Sequence, residues 1–457
     1  MLKNITEQLT YPLRKMLFHA LVPEIKTEIV DGKIKAWTDS PLKKVYQPML
    51  DYFCDRLNNQ KVVGKHNGSN VYTLFNPPQP SPSGMRIMMA RIADQYFNIK
   101  TPTTATISLT YDCQLDCVHC SRVDKIDGRK KTLSTKEMKK VIDDSLDLGV
   151  VNITFTGGDP FVRKDIYELI AHVDKKKANV ILFTHGQTLN EASAKKLKEA
   201  GLYGLLVSLD HSKPEVHDQL RKLPGAFERA VKGALAVKSE GMLIGVSTYA
   251  TREKLEDGSL EELLYFAEEK GFNEVVIFDP IPSGKFRDKL EEIVLTPLER
   301  EGVRKLSKKF LDRDNKMGVI AQSFVNSPFG NGCFGGYYQF YLTPYGDVNP
   351  CDFNPISLGN IRKDGGIKGV WEKMVKNPEY MERKLKCRMQ DKVYRARFLE
   401  HLPENAQFPI PIEIASAKMP LPDEFITDDG KSSIDRGNIM RGDDSEIFQK
   451  LVVKKTG

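Results

Sequence analysis

The sequence predicts an α/β chain built on a parallel sheet. Short, apolar, β-branched runs alternate with helical stretches over residues 104–282, three cysteines crowd at the end of the first run, and a Gly-Gly turn follows the second. The candidate strands are 105–110, 151–156, 180–184, 205–209, 243–249 and 274–278, and helical stretches fall at 134–148, 165–177, 191–200, 226–238 and 260–270. Six βα units of this length build a parallel sheet joined by crossover helices.

Ahead of the sheet, residues 1–100 read as a separate small α+β unit. Apolar residues recur at helical spacing over 9–21, interrupted by Pro12. Asp31-Gly32 within an alternating stretch predicts one hairpin, and Asn67-Gly68 between 61–63 and 71–75 predicts a second. Cys54 sits in a helix-like run at 50–57 and reads as a buried structural thiol. The proline-punctuated segment 76–84 is a stiff connector into a helix over 85–96. The apolar and basic N-terminal helix is suited to packing on the body of the protein, or to touching a membrane surface or a greasy substrate.

Composition narrows the class. With 457 residues the chain can bury a large core and one or two smaller units. Lys and Arg number 68 against 61 Asp and Glu, and a net charge of +7 is mild for this length, so without a basic and aromatic patch no nucleic-acid partner is expected. Nowhere do about 18 apolar residues run together, and the first residues lack the apolar core of a signal peptide, so no transmembrane segment is predicted. Six of the seven cysteines cluster in the middle and later chain, which points to metal rather than disulfides and to a reducing cytoplasm.

The densest chemistry is Cys113-Gln-Leu-Asp-Cys117-Val-His-Cys120, three thiols within eight residues just after a strand. They bring soft ligands into one small volume. A zinc site would want a fourth Cys or His, and His119 is adjacent to Cys120 and poorly placed to join it. Three thiolates suit a [4Fe–4S] cluster with one iron left free. The alternatives are a zinc knuckle and three buried cysteines.

CxxxCxxC after a first strand resembles the cluster motif of the radical S-adenosylmethionine (SAM) superfamily. The resemblance implies a partial (β/α)6 barrel with its chemistry at the C-terminal strand ends. It also implies that SAM chelates the free iron and is cleaved reductively to a 5′-deoxyadenosyl radical. Thr156-Gly157-Gly158-Asp159-Pro160 corresponds to a Gly-Gly-Glu-Pro motif that binds the methionine amino group through its backbone. Here Asp159 replaces the usual Glu. Ser208 and Asp210, with Arg221, match the positions beside the SAM carboxylate and ribose, and His119 matches an aromatic near the adenine. Backbone and apolar groups at 245–248 and 281–282 are expected to line the adenine pocket. His185 in Thr184-His185-Gly186 either faces substrate or is a hydrogen-bonded structural histidine.

Beyond 282, Thr296-Pro-Leu-Glu opens a capped helix at 296–314. Cys333 then precedes alternating apolar residues on both sides of Pro344-Tyr-Gly-Asp347, a hairpin that would return Cys351 to Cys333. Gly-Asn-Ile361, a helix at 367–376 carrying Trp371, and Cys387 follow. This order is similar to the SPASM and twitch extensions that hold an auxiliary [4Fe–4S] cluster. The full SPASM extension has further cysteines, whereas Cys387 is the last here, leaving one iron open to Asp352, Asp391, His401, water or substrate. A zinc site or unligated cysteines is the alternative. A basic helix-like stretch at 393–401 and a segment with Pro403, Pro409, Pro411, Pro420 and Pro422 then either wrap the body or hang loose.

The boundaries expected are 1–100 for the N-terminal unit, 101–320 for the barrel, 321–395 for the auxiliary domain and 396–457 for the tail. The resemblance implies an enzyme, an oxidoreductase or transferase with two [4Fe–4S] clusters and SAM, that abstracts hydrogen from a peptide or natural-product precursor, for oxidative bond formation or modification. It also implies an electron donor such as flavodoxin or ferredoxin. A lipid or other small molecule is the rival substrate, favoured because residues 1–100 show no convincing match to a leader-capturing winged helix. An iron–sulfur electron-transfer protein is the rival of a different class, and the Gly157–Pro160 turn and Ser208 argue against it.

Overall fold

The computed structural model describes residues 6, 9–21, 25–287, 289–327, 330–400, 402 and 406–416. The N-terminal unit begins with the helix Tyr11–Leu21, in which Pro12 lies in the first turn, where its missing N–H costs nothing, so it starts the helix rather than interrupting it. Strands β1 (Ile25–Val30) and β2 (Lys33–Thr38) form the first hairpin, and β3 (Gly64–His66) and β4 (Ser69–Val71) the second. Both turn through two left-handed residues, Asp31-Gly32 and Asn67-Gly68, as a two-residue connection requires. With the helices Lys43–Asn58 and Pro82–Phe97 the first hairpin encloses a small core that includes Phe18, Tyr46, Leu50, Cys54, Met88 and Phe97. The first helix packs into this core, with Phe18 edge-on to Phe97 at 5.3 Å, while Leu13 and Met16 stay exposed.

The six predicted strands are β5 (Thr104–Ser108), β6 (Asn152–Thr156), β7 (Asn179–Thr184), β8 (Gly204–Ser208), β9 (Leu243–Tyr249) and β10 (Glu274–Phe278). They pair in parallel in sequence order. The sheet is wider than six strands. The capped helix Pro297–Leu311 is itself a crossover and delivers a short parallel strand, β11 (Gly318–Ala321), beside β10. At the other edge β12 (Gln339–Leu342) joins β5 in parallel and turns back through Gly346 to β13 (Val348–Asn349). Nine strands run in the order β11-β10-β9-β8-β7-β6-β5-β12-β13, so the sheet stays open between β11 and β13.

Strand alternation separates two environments. Ile153, Phe155, Val275 and Ile277 pack outward under the helices in the main core. Thr154, Thr156, Val276 and Phe278 face a cavity enclosed by the curled sheet. Its N-terminal end is stopped by the second hairpin and its flank, where Val63, Val71 and Leu74 pack against Leu206, Leu243 and Val276. Glu274 fastens this plug by accepting from Thr73 Oγ1 at 3.2 Å and the Leu74 N–H at 3.1 Å. The carboxyl is buried, and burial pushes its pKa up to about 7.

After β13 come β14 (Ile356–Ser357), the helix Gly366–Lys376 and the helix Lys392–Phe398. Trp371 is buried and donates to the Lys100 carbonyl at 3.2 Å, tying this part to the segment entering β5. Residues 406–416 wrap the body: β15 (Ile410–Pro411) pairs with β14, and Phe408, Ile410 and Ile412 are buried. His401, Pro403, Pro420 and Pro422 lie outside the described residues. Among the described residues no helix is long and apolar enough to cross a membrane.

Candidate functional site

The cysteine loop leaves β5 still paired to β6. Leu109 N–H donates to the Thr156 carbonyl at 2.9 Å, Gly158 N–H to Thr110 at 2.7 Å, and Asp159 N–H to Asp112 at 3.0 Å. This close approach explains the two glycines. A Cβ on Gly157, whose φ is +152°, would strike the Thr110 carbonyl oxygen, and one on Gly158 would strike that of Asp112. On the far side Gly284, in the left-handed region, lies against the Cys120–Ser121 backbone, and Lys285 N–H donates to the Cys120 carbonyl at 3.0 Å. The loop is thus gripped from the ends of β6 and β10.

The Asp159 carboxylate turns away from the cavity. One oxygen accepts from Thr184 Oγ1 at 2.6 Å and from the His185 N–H at 3.2 Å, and the other from the Phe161 N–H at 3.0 Å. Asp159 and Pro160 are therefore buried behind the wall that Gly157 and Gly158 present. His185 lies on the wall but is held, with Nε2 at 2.9 Å from Gln114 Oε1.

A second cluster forms at the end of β8. The helix Pro214–Arg221 carries His217 and Arg221 four residues apart, hence on one face, and both meet Asp210. His217 Nδ1 accepts the Asp210 N–H at 3.1 Å, and Arg221 makes a two-pronged ion pair with the Asp210 carboxylate at 2.6 and 2.9 Å. The remaining prong, Nη1, donates to Cys117 Sγ at 3.7 Å. Both Asp210 and Arg221 are buried. Burial alone would raise the Asp210 carboxyl, but Arg221, with His119, Lys254 and His217, holds it well below the carboxylate range.

His119 lies beside Asp210 at 3.8 Å, and burial pulls its pKa down to about 4, so it is neutral at pH 7 and this contact is no salt bridge there. Its Nδ1 is 3.1 Å from the Tyr249 hydroxyl, and the two rings lie 4.6 Å apart. Phe286 adds a third ring, 6.5 Å from His119. Behind Tyr249 the buried Lys254 ammonium donates to the Tyr249 carbonyl at 2.9 Å.

The auxiliary cysteines converge as the hairpin requires. An added Cβ on Gly335 would stand 3.6 Å from both Cys333 Sγ and Cys351 Cβ, so the two cysteines flank one glycine. Cys387 follows the segment whose Lys384 carbonyl receives the Cys333 N–H at 2.8 Å. Of the candidate fourth donors, Asp352 lines the cavity, whereas Asp391 lies off its wall and caps the helix Lys392–Phe398, accepting from the Val393 N–H at 3.0 Å. Sequence reasoning missed Asp279, Tyr249 and Lys254. Asp279 is buried just beyond β10, accepts from Ser323 Oγ and from Gln390 Nε2 at 2.8 Å, and is shifted upward by burial. Its position beyond a strand's C-terminal end was the available signal.

One cavity of about 1190 Å³ joins these parts. All six cysteines line it, together with Gly157, Gly158, Ser208, Asp210, Arg221 and His119, while Cys54 does not. Burial pushes Cys113 up to about 11 and Cys387 up to about 12, so these two thiols are protonated at neutral pH and release protons on binding metal. Among the described residues no group of three or more His, Cys, Asp or Glu is placed to hold a single metal ion. Cluster ligands at separate corners need not converge on one point. A thiol-only donor set, a glycine cradle that any Cβ would fill and a cavity beside both fit an iron–sulfur cluster with a nucleotide-bearing ligand.

Comparison with known proteins agrees. The radical SAM superfamily matches residues 107–267, and an iron–sulfur cluster-binding domain, SPASM, matches residues 333–394. The AdoMet-dependent heme synthase of Oleidesulfovibrio alaskensis is 29% identical over 287 residues, 58% of this chain and 73% of that protein. Mycofactocin maturase MftC of Mycolicibacterium smegmatis is 29% identical over 62% of this chain and 73% of its own length. In fold, the chain is similar to Streptococcus suis SuiB bound to its precursor peptide SuiA, with a TM-score of 0.51 and 16% identity over 74% of this chain and 78% of SuiB. The chain carries a radical SAM domain and a SPASM domain, and is an enzyme whose cofactors are SAM and [4Fe–4S] clusters.

Proposed function

We propose that Cys113, Cys117 and Cys120 hold the SAM-binding cluster and that Cys333, Cys351 and Cys387 hold an auxiliary cluster. The backbone at Gly157 and Gly158 receives the SAM amino group, Ser208 and Arg221 its carboxylate and ribose, and His119 with Tyr249 packs beside the adenine. When bound, the cofactor pair supplies hydrogen-atom abstraction from an unactivated carbon, and the auxiliary cluster supplies an electron acceptor. The protein's own contribution is to orient the substrate and exclude water.

The substrate in this reading is a peptide or natural-product precursor, and the reaction is an oxidative modification. The observation that supports it is the single cavity, about 1190 Å³, lined by both cysteine triads. A substrate carbon beside the first triad then shares its compartment with the second. A tetrapyrrole-type small molecule is a second reading, favoured by the relative named as a heme synthase.

The test is anaerobic reconstitution of the full chain with iron and sulfide, followed by SAM and a strong reductant. The expected result is 5′-deoxyadenosine, abolished in Cys113→Ala, Cys117→Ala and Cys120→Ala. Adding candidate precursor peptides or an iron porphyrin in separate reactions distinguishes the readings by which one stimulates 5′-deoxyadenosine and changes mass. Absence of 5′-deoxyadenosine from cluster-loaded protein contradicts both.

A further inference from the structure

Arg221 offers more donors than a carboxylate partner for SAM needs. Its Nε and one Nη grip Asp210 at 2.6 and 2.9 Å, and the other Nη donates to Cys117 Sγ at 3.7 Å. Both partners are buried, and Asp210 is itself fixed through its backbone N–H on His217. The guanidinium is therefore held in one orientation, with an N–H aimed at a single sulfur of the first triad.

A hydrogen bond from a cation to a ligand sulfur stabilises the more negative, reduced state of an iron–sulfur centre, because the donor attracts the added charge. In a site shielded from water this attraction is weakly screened. Asp210 offsets part of the positive charge but lies on the far side of the guanidinium from the sulfur, so a dipole pointing at Cys117 remains. Among the described residues no second arginine donates to a sulfur of the first triad: Arg122 donates instead to the Tyr111 and Leu115 carbonyls.

We propose that Arg221, oriented by Asp210, is a positioning residue that donates to the Cys117 sulfur and raises the potential at which the first cluster accepts its electron. The inference rests on the assignment of that cluster to Cys113, Cys117 and Cys120. It adds to any contact Arg221 makes with SAM, since two N–H groups remain for a carboxylate.

The experiment is an EPR-monitored redox titration of the reconstituted full chain with titanium(III) citrate. The first cluster's signal is identified as the one whose shape changes on adding SAM. Arg221→Met and the more conservative Arg221→Lys are each expected to shift that signal to more negative potential by at least ~59 mV, a tenfold drop in the one-electron equilibrium constant. The auxiliary signal stays in place and serves as the internal control for folding. Asp210→Asn removes the charge that offsets Arg221 while keeping an acceptor for it, and is expected to move the same signal the other way, to more positive potential. An unchanged potential in both Arg221 variants, with weakened SAM affinity, overturns the proposal and leaves Arg221 as a SAM ligand alone. A wild-type protein with no SAM-responsive signal would instead overturn the cluster assignment beneath it.

Discussion

Replacing Asp159 with Ala removes one acceptor from three donors, the Thr184 hydroxyl and the N–H groups of His185 and Phe161. All three bonds are made behind the cavity wall, so their loss is a loss of stability before it is a loss of chemistry. Unsatisfied buried donors cost about 1–3 kcal/mol each, and partial relaxation brings the expected total to about 2–4 kcal/mol by denaturant unfolding. A change under about 0.5 kcal/mol would show that Asp159 does not hold the ends of β6 and β7 together. Gly158→Ala acts differently, because its Cβ meets the backbone of the cysteine loop and not a side chain that can swing away. At least a tenfold loss of SAM affinity is expected, read by equilibrium binding to cluster-loaded protein, and wild-type affinity would contradict the cradle. Such residues were legible because their chemistry is local: CxxxCxxC and Gly-Gly-Asp-Pro are each contiguous. Asp279, Tyr249 and Lys254 were not, since each acquires its partners only when distant segments meet.

At the scale of elements, the plug at the N-terminal end of the sheet depends on a buried acid. Glu274 keeps its proton up to about pH 7 in the folded chain, against an ordinary value of 4.5. Between those values the unfolded chain has released a proton that the folded chain retains, so folding is favoured less as pH rises. The contribution is fully present below about pH 4.5 and is lost as pH passes through about 7, at most ~3 kcal/mol in all. Glu274→Gln keeps an acceptor for Thr73 and Leu74 without the proton. Thermal unfolding at pH 5 and pH 8 should therefore show wild type losing stability relative to the variant. Parallel curves for the two proteins would refute the assignment. Both hairpins and all six predicted strands were legible from turn dipeptides and alternation. Strand β11 was missed because four residues carry too little pattern, and the β5–β12 pairing because it joins segments more than 200 residues apart.

For the whole molecule, the sheet does two jobs with its two faces. Its convex face supplies the apolar core, and its concave face, stopped below by the second hairpin and extended at the edge by β12 and β13, supplies a cavity open to both cysteine triads. The six clustered cysteines thus meet in space although Cys120 and Cys333 are far apart in sequence, and Cys54 stays in the N-terminal core. The expectation that six thiols serve two centres came from their grouping in the chain. That the two groups share one compartment came only from the closure of the chain around it.

In the centre we propose, the first triad leaves one iron open to SAM. EPR of the reduced, reconstituted Cys333→Ala/Cys351→Ala/Cys387→Ala variant tests it most directly. The expected result is about four irons per chain and a signal that changes shape when SAM is added. Bound zinc in place of iron, or a [4Fe–4S] signal indifferent to SAM, would contradict it.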